Sequence, residues 1–153
     1  MTTRLLLVML CGALAACSSF DARWRAATPG AGRWEGRWTS GKHAALGGGG
    51  PAGGRLRCIL TPADAQAQRA EFRANWLVFA GDYSMALKPV PGSRTDFRGT
   101  HDLPSIFGGT YRYTAHIRGD DFTARYDSSY DHGIFRLRRV PAAKDSVPGD
   151  TRH

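Results

Sequence analysis

The sequence predicts an all-β fold, an eight-stranded antiparallel up-and-down barrel in which each strand pairs with its neighbour along the chain. Three observations predict it. Eight segments between residues 33 and 140 alternate apolar and polar side chains with period two. The links between the later segments, "AGD", "PGSR", "GD" and "SYDH", are short and built from turn residues. A meander of eight strands is long enough to close on itself and remove both sheet edges.

Ahead of that body, Met1, Thr2, Thr3 and Arg4 are followed by the uncharged run "LLLVMLCGALAA". A basic start and an apolar stretch too short to span a bilayer permanently make residues 1–16 a signal peptide. Leu14, Ala15, Ala16 and Cys17 resemble the bacterial lipobox, which implies acylation of Cys17 and cleavage just before it. Cys11 follows Met9 and Leu10 and leaves with the signal. The resemblance further implies a membrane anchor of acyl chains on Cys17, and Ser18, in place of an Asp, implies the outer membrane with the protein facing the periplasm. Residues 17–32 read as the lipidated N-terminus and a tether, since "SSFDARWRAATPGAG" carries Pro, Gly and small residues without sustained periodicity; its extended reach is about 50 Å.

The first strand is expected at Arg33 to Thr39, followed by "SGKHAALGGGGPAGG", whose low complexity reads as a mobile flap or disordered insertion. The second runs from Arg55 to Leu60. "TPADAQAQRA" has Pro62 placed for a helical turn after Thr61 but no apolar stripe. Then come Arg69 to Phe79, Tyr83 to Val90, Thr95 to Leu103, Thr110 to Arg118, Asp121 to Ser128 and Gly133 to Val140. Residues 33–140 thus form the barrel domain, and 141–153 a frayed tail.

Phase assigns the faces. In the sixth strand Tyr111, Tyr113, Ala115 and Ile117 oppose Arg112, Thr114, His116 and Arg118; in the seventh Phe122, Ala124 and Tyr126 oppose Thr123, Arg125 and Asp127; in the eighth Phe135 and Leu137 oppose Arg136 and Arg138. A membrane barrel would turn the apolar face to lipid, but Gly99, Ala115 and Ala124 suit a tight interior and an acyl anchor would be redundant there, so the apolar face is expected inside.

Two resemblances follow from these residues. "GRWEGRW" places Gly36, Arg37 and Trp38 on the first strand, which resembles the Gly-x-Trp signature of the lipocalins and wider calycins; Gly32, Arg33 and Trp34 offer it a second time. The likeness implies that Trp38 packs at the closed barrel end under a basic side chain of the last strand, Arg136 or Arg138. It also implies a cup for a small apolar or amphipathic ligand, lined by Tyr83, Met85, Phe97, Tyr111, Tyr113 and Tyr126. An eight-stranded barrel can equally be filled by its own side chains, and Trp76, Phe97, Tyr111, Tyr113, Phe122 and Tyr126 are bulky enough to do so. "FTARYDSSYDHGIFRLRR", with "GRLRCIL" and "GGTYRY", resembles a group of small bacterial exported proteins that brings no activity with it.

Loss of residues 1–16 leaves 137 residues, one domain's worth, with 20 Lys and Arg against 13 Asp and Glu; Arg makes up 18 of the 21 basic residues of the whole chain. Nucleic acid is the default partner of such a charge, but an exported protein meets anionic lipid, lipopolysaccharide or cell-wall polymer instead. Cys58 is the one thiol left, so no internal disulfide forms; between Leu56 and Leu60 it reads as a small core residue.

Catalytic and metal motifs are missing from the sequence. His101 shares the phase of Phe97 and Leu103, and His116 that of Arg112, so the two point to opposite faces; His43 lies in the first loop, and Asp131 and His132 belong to a turn. Glycines 47–50 lack the Lys-Ser or Lys-Thr of a phosphate loop. What remains is a basic face of Arg112, Arg118, Arg125, Arg136 and Arg138 on three consecutive strands, either a solvated surface or a wall for an anionic envelope polymer. The expectation is a monomeric, non-enzymatic binder or carrier without cofactor or metal, or else a filled barrel that acts through that face.

Overall fold

The computed structural model describes residues 19–28, 32–44, 51–63, 67–76, 79–105 and 109–142. The signal segment, Cys17, residues 45–50 of the glycine-rich link and the tail from residue 143 lie outside the described residues, as do the side chains of His43 and Trp76.

Eight strands, β1 (Arg33–Ala44), β2 (Pro51–Pro62), β3 (Gln68–Trp76), β4 (Phe79–Pro89), β5 (Asp96–Asp102), β6 (Thr110–Arg118), β7 (Asp121–Asp127) and β8 (His132–Arg139), form one closed barrel in chain order. Every pairing is antiparallel, and β1 closes the ring on β8 with Trp34 opposite Arg139 and Ser40 opposite Gly133. Alternation sets the faces as the sequence predicts. The burial of β7 switches between exposed and buried at every residue from Asp121 to Asp127, and Phe122, Ala124 and Tyr126 join Phe135, Leu137, Tyr113 and Ala115 in one core.

Beyond one- or two-residue differences at strand ends, three boundaries differ from the expectation. The first is the glycine-rich link: β1 and β2 run on into it, as far as Ala44 and back from Pro51, with a register irregularity between Thr39 and Ala44. Gly and Ala carry no polarity to alternate, so the pattern cannot show that they pair. Gly54 is needed there, because a Cβ would collide with the Asn75 carbonyl of β3. The second is the β3–β4 hairpin. "AGD" was expected as its turn, yet Ala80, Gly81 and Asp82 lie in β4, and the register brings Trp76 opposite Phe79. Arg73 fixes this register by gripping Asp82 with two hydrogen bonds, Nε to Oδ1 at 2.6 Å and a terminal nitrogen to Oδ2 at 2.8 Å.

The third is the tether. Within it lies α1 (Phe20–Ala26), N-capped by Ser19, whose hydroxyl accepts from the Ala22 N–H, with Asp21 in the first turn and Arg23 and Arg25 in the last. Phe20 and Trp24, one turn apart, stack at 5.9 Å and pack on Ile59 of β2, with Ala27 and Val140 at the edge. Ile59 has the outward phase of its strand, so α1 lies on the outside of the barrel. Burying two aromatic side chains contributes about 3–6 kcal/mol as an upper bound, enough to hold seven residues that would not be helical alone.

Candidate functional site

The expected barrel-end packing exists with different residues. Trp34, 1 % exposed, occupies one end, edge-on to Phe122 at 5.7 Å, and the Arg139 guanidinium sits 4.2 Å from its ring centroid. Arg139 also donates to Asp120 and to the Gly119 carbonyl. Trp38 instead donates its indole N–H to the Asn75 carbonyl at 3.3 Å. Arg136 and Arg138 are exposed. The correction follows from phase: Arg139 shares the inward parity of Phe135 and Leu137, which Arg136 and Arg138 lack. Gly32, Arg33 and Trp34 therefore occupy the position that the Gly-x-Trp resemblance assigned to Gly36, Arg37 and Trp38.

The six residues expected to line a cup are packed against one another and against Phe72 and Phe135. Met85, Phe97, Tyr113 and Tyr126 are buried, and Tyr83 and Tyr111 are partly buried against the same core. Phe72 stacks on Tyr83 at 5.1 Å and meets Phe135 at 5.6 Å; Phe135 meets Tyr126 at 5.2 Å and Tyr113 at 5.8 Å. Burial pushes the phenols of Tyr83, Tyr113 and Tyr126 well above their usual range. Burial also pushes up the thiol of Cys58, which keeps it protonated and inert.

Toward the other end, Asp131 is buried and holds two hydroxyls, Ser40 Oγ at 2.7 Å and Tyr126 at 2.8 Å. Both donate to a carboxylate that needs partners inside the barrel. The backbone of Asp131 forms the expected turn, in which Ser128 Oγ accepts from the Tyr130 and Asp131 N–H groups. Its neighbour His132 points out, so adjacent positions do diverge. His101 lies inside against Tyr83 at 5.4 Å, while His116 lies outside on Asp96.

The outer surface divides into two walls. Over β2 and β3, Asp21 of α1 lies between Arg57 and Arg73, 2.8 Å from the former and bonded to the latter, and Arg23 reaches Glu71 at 2.6 Å. The two guanidinia also lie over Phe20, at 5.4 and 5.2 Å from its ring centroid. Desolvation acts to raise Asp21, but the hydrogen bonds and charges of Arg57 and Arg73 outweigh it and hold the carboxyl below the usual carboxylate range.

The wall from β5 round to β1 has no such cover. Arg112, Arg118, Arg125, Arg136 and Arg138 are all exposed on it, and the registers add Arg98 and Arg37. Of these seven only Arg138 forms an ion pair among the described residues, with Asp121 at 3.2 Å, although the register also sets Asp127 opposite Arg112 and Asp121 opposite Arg118. Two rows stand out. Lys88, Arg98, Thr114 and Arg125 are successive cross-strand neighbours, as are His116, Thr123, Arg136 and Arg37. Like charges directly opposite each other are unfavourable in a sheet, and this wall has Lys88 opposite Arg98 and Arg136 opposite Arg37. Between the rows lies a groove of about 370 Å³ lined by Val90, Asp96, Phe97, Arg98, Thr114, Ala115, His116, Thr123 and Arg125. It borders the thinnest seam of the barrel, where β4 and β5 pair only at Lys88–Arg98 and Pro89–Phe97.

Phase on strands six to eight points to the wall, but the sequence reading missed Arg37, Arg98 and the Asp96–His116 pair. Their signal was the register, which brings together residues 20 positions apart. No protein-family model, curated protein or solved structure matches the chain. The site therefore has to be read from its own chemistry: a filled eight-stranded barrel with one wall clamped by a helix and the other basic and open.

Proposed function

We propose that this protein is a lipid-anchored module of the cell envelope that holds an anionic envelope polymer against the basic wall of a filled barrel, with Cys17 as its anchor. The observation that carries this reading is the contrast between inside and outside. The aromatic residues that a carrier would use for its cup fill the interior, while six arginines that form no ion pair among the described residues share one outer wall. A surface with a clear excess of one sign concentrates polyanions and orients them without a deep pocket.

The test uses the chain with Cys17→Ser, so that the wall is read separately from the anchor. Sedimentation with isolated anionic envelope polymer should be strong at low salt and weaken as salt rises, and the double charge reversal Arg125→Glu with Arg136→Glu should abolish it. Undiminished association in that variant would sink the reading. The anchor has its own readout: wild-type protein should fractionate with membranes and carry acyl mass, and Cys17→Ser should do neither.

A further inference from the structure

The groove beside the β4–β5 seam has a composition of its own. Arg98 and Arg125 are the first and third residues of the row Arg98–Thr114–Arg125. Their backbones are therefore two strand spacings apart, about 9.6 Å, with Thr114 between them. In the adjoining row His116 and Thr123 are direct partners. Neither Arg98 nor Arg125 has an acidic partner among the described residues, so both forks are available to an incoming oxyanion.

The one carboxylate lining the groove is already engaged. Asp96 accepts from Ser93 Oγ at 2.7 Å on one oxygen and meets His116 Nδ1 at 2.8 Å on the other. This arrangement offsets its charge and fixes the imidazole with Nε2 directed away from Asp96. The partners of Asp96, His116 first and then Ser93, also hold its carboxyl below the usual range. Val90, partly exposed at the seam, supplies an apolar edge beside these polar groups, with Phe97 and Ala115 buried beneath it in the core, a combination that can receive the C–H face of a sugar ring next to an anionic substituent.

We propose that this groove binds the phosphate group of a phosphorylated glycan, with Arg98 and Arg125 clamping the phosphate, Thr114 and Thr123 donating hydroxyls to it, and the sugar lying against Val90. The inference rests on the reading of the basic wall and of Cys17 given above, and deepens it. The glycan is the source of the phosphate because of where the groove faces. In the closed ring β6 and β7 stand opposite β2 and β3, and α1 occupies the β2 side. Only Ser18 separates Cys17 from the cap Ser19, so the anchor attaches within about 7 Å of the helix. With Cys17 acylated as proposed, the helix wall faces the anchoring membrane and the groove faces away from its headgroups.

The test is an amide chemical-shift titration of the Cys17→Ser chain with glucose 6-phosphate, glucose, inorganic phosphate and vesicles of equimolar phosphatidylglycerol and phosphatidylcholine. Saturable shifts are expected at Thr114, His116 and Thr123 with glucose 6-phosphate, weaker ones with inorganic phosphate, and none with glucose. Arg98→Glu should weaken the sugar phosphate at least about tenfold, and the milder Arg98→Gln by several-fold, while Arg112→Glu on the same wall changes it less than about twofold. Equal losses at Arg112 and Arg98 would overturn the proposal, since they describe diffuse attraction. So would vesicles that bind more tightly than the sugar phosphate, or the lack of any saturable shift. Polymer sedimentation that survives Arg98→Glu but fails with Arg125→Glu and Arg136→Glu would leave the wall standing and remove the groove.

Discussion

On the wall formed by β2 and β3, each exposed or half-buried arginine has a carboxylate within reach: Arg55 has Glu35, Arg57 has Asp21, Arg69 has Glu71, and Arg73 has both Asp21 and Asp82. On the wall from β5 to β8, Arg98, Arg112, Arg118, Arg125 and Arg136 form no ion pair among the described residues, even where Asp127 stands opposite Arg112 and Asp121 opposite Arg118. The residue type and the strand geometry are the same on both, so the difference lies in what covers them. Exposed ion pairs contribute little to stability. The pairing on the first wall matters because it lets two guanidinia lie on the rings of Phe20 and Trp24 with their charge balanced. On the second wall the unbalanced charge costs some stability, and that cost is what a surface kept for an anionic partner would carry.

The contrast can be broken most severely at the aromatic contact. Phe20→Ala should cost about 3 kcal/mol in chemical denaturation, as a fully buried aromatic, and should release α1. It should also create a second anion-binding wall, so that polymer sedimentation rises while Arg125→Glu with Arg136→Glu no longer abolishes it. If the double reversal still abolishes binding, the covered wall was never latent.

A smaller effect is expected from the charge at the centre of the clamp. Asp21 has a lowered folded-state value, so its contribution is complete above the ordinary carboxylate range and is lost as pH falls through the folded value. As pH falls below the ordinary aspartate range, α1 should loosen and Trp24 fluorescence should shift to that of an exposed indole, with β6 to β8 still protected from hydrogen exchange. Asp21→Asn should show the loosened fluorescence at neutral pH and remove most of the acid transition. An acid transition unchanged in that variant would place its cause elsewhere.

The smallest effect has the opposite sign. Replacing Arg37 by Thr removes one member of the Arg37–Arg136 juxtaposition and should stabilise the barrel by up to about 0.5 kcal/mol while weakening polymer sedimentation. Destabilisation would mean that the two guanidinia support each other through a partner, and the idea of a strained open wall would fall.

How much of this was legible varies by element. β6 is expected from Thr110 to Arg118 and has those bounds, β7 ends one residue early and β8 is shifted by one residue at both ends, because their polar positions are strongly charged and the link "GD" fixes their register. The ends of β1 and β2 were hidden by Gly and Ala. The helix was hidden by its length: its stripe is only Phe20, Trp24 and Ala27. Ser19 as cap, Asp21 in the first turn and two arginines in the last were readable signals for it, outweighed by Pro29 and the glycines that follow. Choosing between Trp34 and Trp38 required knowing which parity of β8 reaches the barrel interior at its end.

The sequence by itself determined the period-two alternation, hence the strand count, the inward and outward sets and the basic character of β6 to β8, because a strand displays its side chains by parity alone. The tertiary structure decided which arginines are balanced, that α1 covers one wall, that Arg139 lies over Trp34 and that Arg98, Thr114 and Arg125 form one row. Those are matters of register and docking, which join residues that the chain keeps apart, and local periodicity carries no record of them.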